Sequence, residues 1–150
     1  MQAKRGFTLV EILIVVVILG ILAAIVIPQF TQASTEAKTS SLSSDLQTLR
    51  SQIELYKVQH NDTAPLLATF TNQMMYCTDI AGTASTSKAR DATHQYGPYL
   101  ETVPANPFNN FATLGASTVA TPLTDNSVGW GYDALTGEIH AADTVDHAKL

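Results

Sequence analysis

The sequence predicts an α+β fold: a long N-terminal helix, membrane-spanning in its first half and amphipathic in its second, packed against a small C-terminal antiparallel β-sheet. Three observations carry this prediction. Residues 7–27 are an apolar run with a single ionisable side chain, residues 42–56 repeat their apolar residues at helical spacing, and residues 111–142 alternate aromatic and small residues around turn signals. The length of 150 residues suits one ordinary domain and excludes a large multidomain enzyme.

The apolar run reads FTLVEILIVVVILGILAAIVI, in which 16 of 21 residues are Ile, Leu, Val or Phe and only Glu11 is ionisable. As a helix it is about 31 Å long at 1.5 Å per residue, matching the roughly 30 Å hydrocarbon core of a bilayer. Sixteen side chains at about −0.3 to −0.6 kcal/mol each outweigh one carboxylate, which costs roughly 3 kcal/mol at the bilayer centre and less near the end where Glu11 sits. The β-branched run from Val15 to Ile18 is a poor helix in water, but in lipid the backbone must satisfy its own hydrogen bonds and the helix wins. Lys4 and Arg5 just precede it, so the positive-inside bias predicts a single pass with the N-terminus cytoplasmic and everything after residue 28 outside. A secretory signal peptide fits less well, because the run exceeds an ordinary h-region, carries a carboxylate, and has no Ala-x-Ala site before Pro28. A plain anchor explains the length and the basic flank but not Glu11, since an anchor gains nothing from an acid in lipid.

Lys4-Arg5-Gly6-Phe7-Thr8-Leu9-Val10-Glu11, followed by an unbroken apolar helix and Pro28, resembles the class III signal of the type IV pilin superfamily, which includes pilins and the pseudopilins of type II secretion. The match covers about the first thirty residues. It implies that a membrane prepilin peptidase cuts after Gly6, where a larger side chain would obstruct the scissile bond, and that Phe7 becomes an N-methylated N-terminus. Cleavage discards Lys4 and Arg5, leaving 6 basic against 13 acidic side chains. It also implies that Glu11 meets the N-terminal amine of an adjacent subunit and sets its axial register. At about 4 Å and an effective dielectric near 20 such a contact yields on the order of 4 kcal/mol before desolvation is counted. Gly20 and Pro28 mark the segment that loses helical hydrogen bonding in assembled filaments of the family, and the proline alone predicts a kink.

Four segments follow: a leader over 1–6, a transmembrane and filament-core helix over 7–28, an amphipathic helix over 29–61 and a globular head over 62–150. In the amphipathic helix Leu42, Leu46, Leu49, Ile53 and Tyr56 recur at spacings of 4, 3, 4 and 3, while Asp45, Arg50, Glu54 and Lys57 lie off that stripe. Arg50 with Glu54 and Glu54 with Lys57 are spaced for weak surface pairs. Asn61-Asp62-Thr63 ends the helix as a turn. Residues 65–77 predict a short helix turning Leu66, Phe70 and Met74 inward, and residues 78–93, small and polar, predict an exposed loop. Tyr96–Asn110 contains Pro98, Pro104 and Pro107, which prevent regular pairing. Its wording resembles the loop preceding the small sheet of the major pseudopilins of type II secretion, with Asn106-Pro107-Phe108 standing where those proteins have Asp-Pro-Trp. FATL, STVATPL and GWGYDALTGEIHAA then predict three or four antiparallel strands. The last is a hairpin in which Trp130 and Tyr132 share a face and Gly137 supports the turn.

No catalytic constellation emerges: His60, His94, His140 and His147 are scattered, and there is neither a nucleophile elbow nor a phosphate loop. Not an enzyme is the expectation. His140, Asp143, Asp146 and His147 carry metal-ligand chemistry but fall in a tail expected to fray. The resemblance implies calcium in the C-terminal loops, for which Asp125, Asp133 and Asp143 are available oxygen donors, though none sits in an EF-hand pattern. The residues themselves assign no cofactor. Cys77 is the lone cysteine, so no intramolecular disulfide forms. The net charge of −5, with only Lys88 and Arg90 beginning a basic patch, disfavours nucleic acid.

The expected function is a structural subunit, inserted in the inner membrane and then polymerised as a homo-oligomeric helical filament in the periplasm or at the cell surface. The resemblance implies a prepilin peptidase, an inner-membrane assembly platform and minor pseudopilins or pilins as partners. A type II secretion pseudopilus is the first reading, a type IV pilus the second, and a membrane-anchored domain of unrelated function the third.

Overall fold

The computed structural model describes residues 6–118 and 120–150; Lys4 and Arg5, the expected topological signal, lie outside them. The chain divides into two compact units, Met1–Lys38 and Thr39–Leu150.

Helix α1 runs over Leu9–Gln59 and is unbroken at both Gly20 and Pro28. Pro28 has no amide hydrogen to give to the carbonyl one turn earlier. The threonines beyond it add side-chain bonds to the helix backbone: the Thr31 hydroxyl donates to the Ile27 carbonyl at 3.2 Å and the Thr35 hydroxyl to the Thr31 carbonyl at 3.0 Å. In the second unit the stripe emerges as expected. Leu42, Leu46, Leu49, Ile53 and Tyr56 are all buried, each aliphatic side chain contributing roughly 1.5–3 kcal/mol by leaving water. The helix stops where Asn61 and Asp62 adopt positive φ of 54° and 61°, a conformation that short polar side chains tolerate better than branched ones.

A 3₁₀ turn, Leu67–Thr69, leads into α2, Phe70–Met75. Phe70 and Met74 enter the core as expected, but Leu66 is 58% exposed and Leu67 takes the inward place. The difference arises because the first turn is 3₁₀, whose three-residue period rotates the apolar face by a position. Residues 78–93 are irregular, yet not all surface. Thr78 and Cys77 are buried, Thr78 bridges both Ala84 and Tyr96, and the Cys77 thiol points at the Lys88 carbonyl.

The sheet has three strands in the order β1 (Leu114–Ala116), β2 (Trp130–Tyr132), β3 (Ile139–Ala141). The hairpin of β2 and β3 is antiparallel, with Trp130 opposite Ala141 and Tyr132 opposite Ile139, and Gly137 turns it at φ +82°. The β1–β2 pair is parallel, so the sheet is mixed rather than wholly antiparallel. Parallel neighbours need a crossover of about a dozen residues. The stretch between Ala116 and Trp130 gives that length; of the expected strand STVATPL the described residues are outside any strand and Val119 lies outside the described residues, so only Leu114–Ala116 of the region pairs.

The core joins the α1 stripe to Phe70, Met74, Tyr99, Leu100, Trp130, Tyr132 and Ile139. The polar tips of its aromatics are all bonded: the Trp130 indole N–H to the Pro104 carbonyl at 2.8 Å, and the Tyr132 hydroxyl to the Pro65 carbonyl at 2.7 Å. Such partners are required of buried Trp and Tyr, and here they fix the proline-rich segments against the sheet.

Candidate assembly site at the N-terminal helix

The start of α1 is a reciprocal cap. The Glu11 carboxylate accepts the Thr8 amide and the Thr8 hydroxyl at 2.8 Å each, both through Oε2, while the Thr8 hydroxyl oxygen accepts the Glu11 amide at 3.2 Å. Four amides at a helix N-terminus have no intrahelical acceptor, and this Thr-x-x-Glu box satisfies two of them. An acid in the first turn also meets the positive end of the helix dipole. Thr8 is the site residue that the sequence argument missed. The signal was present, since Thr8 and Glu11 are spaced as a capping box ahead of an apolar run.

Gly6 and Phe7 precede the helix in an irregular segment, and Phe7 is 83% exposed. A Cβ built on Gly6 meets nothing within 4 Å. Among the described residues nothing packs against that position. Gly20 is equally open. From Leu9 to Ile27 the large apolar side chains are 40–81% exposed. This is the helix long and apolar enough to cross a membrane among the described residues, with a mean hydropathy of 3.3 in its most apolar window and none of that window buried.

The remaining candidates sit in the head. His140 is buried and its Nε2 lies 2.9 Å from the Ser117 hydroxyl. That hydroxyl also accepts the Leu123 amide at 2.7 Å and lies 3.3 Å from the Thr121 carbonyl. The pair fastens the 117–123 loop, and its geometry is that of a saturated structural contact rather than a free nucleophile. Burial holds the His140 imidazole below its ordinary pKa, the Arg50 charge adds to this, and Glu138 opposes it. Arg50 does not pair with Glu54 as its spacing suggested. Its Nη2 and Nε donate to the Ile139 carbonyl at 3.0 and 3.3 Å, and its Nη1 to the Leu150 carbonyl at 2.8 Å. Glu54 pairs with Lys57 at 2.9 Å.

Among the described residues no three His, Cys, Asp or Glu side chains gather as a metal site. Asp125 Oδ1 caps the Ser127 amide and hydroxyl, and Asp133 Oδ1 caps the Leu135 amide. Asp143 is held by Asn106 and His147. Asp146 lies 3.4 Å from the Lys149 ammonium at the surface. The segment is therefore tied to the head through Asp143, and among the described residues the oxygens that the resemblance offered to calcium do not gather as a metal site.

Residues 1–27 match the family model described as the prokaryotic N-terminal methylation motif. The type II secretion system core protein G of Klebsiella pneumoniae is 41% identical over 61 residues, 41% of this chain and 44% of that protein. The core protein G of Aeromonas hydrophila is 30% identical over 112 residues, 73% of each chain. The chain belongs to the type II secretion system core protein G family. For a member of this family it spans less than half the length of several relatives that it matches at about 40% identity, such as that of K. pneumoniae. The type IV major fimbrial protein FimA of Dichelobacter nodosus is 36% identical over 87 residues, 57% of this chain and 56% of that protein. No solved structure matches. The core protein G assignment thus rests on sequence that extends well past the methylation motif into the head, while the motif itself accounts for the capped, exposed start of α1.

Proposed function

We propose that this chain is a pseudopilin: a non-enzymatic subunit that polymerises through the apolar half of α1 into the extracytoplasmic filament of a type II secretion system. The observation that carries the proposal is an apolar helix whose most apolar window is wholly unburied among the described residues, beginning at the Thr8–Glu11 cap. Before assembly the helix spans the inner membrane with residues 1–6 in the cytoplasm, where a prepilin peptidase removes them after Gly6 and Phe7 is N-methylated. Lys4 and Arg5 hold that orientation until they are discarded.

The capping box survives this processing, because it uses only Thr8 and Glu11. Both Thr8 donors fall on Oε2, so Oε1 is left to face the Phe7 ammonium of a neighbouring subunit. An ammonium and a carboxylate in lipid each carry a large desolvation cost, which pairing offsets and which a subunit out of register does not. Apolar contact among helices then replaces contact with lipid, and Gly20 and Pro28 bound the segment whose helical bonding gives way as subunits pack. The other partners are the inner-membrane assembly platform and minor pseudopilins. Lys88 pairs with Glu101 at 2.7 Å and the Arg90 guanidinium donates to the Gly97 carbonyl at 3.1 Å. Glu101 thus offsets the Lys88 charge, which leaves little of the basic patch that nucleic acid requires. The similarity to FimA favours a type IV pilus subunit as the second reading.

The test is intact mass and N-terminal sequencing of protein recovered from a sheared extracytoplasmic fraction, with a Glu11→Ala strain alongside. The expected result is a chain that begins at methylated Phe7 in filaments, and a variant that inserts in the membrane but loses at least nine-tenths of the filament yield. Normal filament yield from Glu11→Ala removes the register role. A chain cut near Ala24 and released as a monomer removes the proposal altogether.

A further inference from the structure

We propose that the C-terminal segment of this head is fastened by a hydrogen-bonded group, Asn106, Asp143 and His147, that occupies the structural role the family resemblance would give to calcium. The fold of the head is then indifferent to that ion.

Asp143 is the one buried carboxylate of the three candidate calcium donors, its side chain only 4% exposed. A buried carboxylate must be met by donors or by a cation. Both of its oxygens are met by N–H groups: Oδ1 by the Asn106 amide nitrogen at 2.9 Å and Oδ2 by His147 Nδ1 at 2.5 Å. A calcium site has the opposite polarity, with six to eight oxygens converging at 2.3–2.6 Å. Asn106 cannot turn its carbonyl inward to supply one. Its amide nitrogen also donates to the Gly129 carbonyl at 3.1 Å, so a flip would set oxygen against two oxygens, and its Oδ1 already accepts the Phe108 amide at 2.9 Å. The other two acids each engage Oδ1 in a local turn, at 125–127 and 133–135, and among the described residues they do not gather with a third ligand.

The group does what a cross-linking ion does. Asn106 is fully buried and bonds through its backbone to Phe111 and Asn110, which closes the 106–111 loop. Through Gly129 it holds the start of β2, and through Asp143 it holds the segment after β3. The Phe108 ring lies 4.2 Å from the His147 ring and shields the pair from water. Neutral Asn at position 106 is what makes this possible, because an aspartate there would face Asp143 as a second carboxylate and call for a cation between them.

The experiment uses the full chain in detergent micelles and follows thermal unfolding by the emission of Trp130, the lone tryptophan, whose indole bonds to Pro104 beside the group. The wild-type midpoint should agree within about 1 °C in millimolar CaCl2 and in EGTA. In both media His147→Ala should lower it by roughly 4–8 °C, and His147→Gln, which keeps an N–H donor, should recover at least half of that. A wild-type midpoint raised several degrees by CaCl2 overturns the proposal, as does a His147→Ala protein that melts with the wild type. The calcium comparison stands even where a variant fails to fold. Because it needs no filament, its failure is distinguishable from failure of the pseudopilin reading.

Discussion

Leu13, Val16 and Ile27 are 56%, 59% and 64% exposed in the first half of α1, whereas Leu42, Leu46 and Leu49 on the same helix are 0%, 1% and 0% exposed. The type of apolar residue does not distinguish the two halves, since both rely on Leu and Ile. They differ in distribution. The first half is apolar all round, so no single neighbour could cover it, and under the proposed function lipid and then other copies of the helix do so. The second half is apolar along one stripe, which one small sheet and one short helix cover from within the chain. A helix apolar on every side is addressed to an environment, and a helix apolar on one side is addressed to its own domain.

Substitutions at matched positions would break or sharpen that contrast. Leu46→Ala should cost the head about 2–5 kcal/mol through lost burial and the cavity left behind, read as a lower urea midpoint of Trp130 emission. Leu13→Ala should leave that midpoint within about 0.5 kcal/mol of wild type. Equal losses from the two would show that the halves stabilise one another and end the contrast. Next in size are two glycines in and beside β2. A Cβ on Gly129 would come within 1.9 Å of the Phe111 carbonyl oxygen, and one on Gly131 within 2.2 Å of His140 Nε2. Alanine at either should cost about 1–3 kcal/mol. Gly129→Ala should be the worse, because a backbone atom cannot swing aside as an imidazole can. Arg50→Met should cost about 1 kcal/mol by removing charge-assisted bonds to the Ile139 and Leu150 carbonyls.

The smallest effect is one of pH. Burial, aided by the Arg50 charge, lowers the His140 pKa in the folded head, whereas in the unfolded chain the group titrates near about 6.5. Below that value the unfolded state takes up the proton more readily than the folded state. The contribution of neutral His140 is thus complete above about pH 6.5 and declines as pH falls from there through the lowered folded value. Urea midpoints at pH 7.5 and pH 5.5 should differ more for wild type than for His140→Gln, and an equal drop in both would assign the acid sensitivity to other groups.

Much of this was readable in advance because it depends on one-dimensional periods. The span of residues 7–27, the stripe from Leu42 to Tyr56, the stop at Asn61 and the hairpin carrying Trp130 and Tyr132 each follow from spacing that the local backbone enforces. The capping role of Thr8 is legible too, since Thr8 and Glu11 stand three apart immediately ahead of the apolar run. The inward turn of Leu67 in place of Leu66 was not readable, since it depends on a 3₁₀ turn whose stability comes from the packing of Phe70 beyond it.

By itself, then, the sequence determined which stretch is apolar on every side, which face of α1 enters a core and where the chain must turn, since transfer energies and helical or pleated periods act on neighbours in the chain. Only the tertiary structure decided that β1 lies parallel to β2, that Arg50 reaches the Ile139 carbonyl, and that Asn106, Asp143 and His147 meet. Arg50 and Ile139, and Asn106 and Asp143, are far apart in sequence, and even the Asp143–His147 pair, four residues apart, is completed by the distant Asn106. Their pairing is chosen by where the whole core places backbone donors and buried charges, and a local pattern holds no record of that.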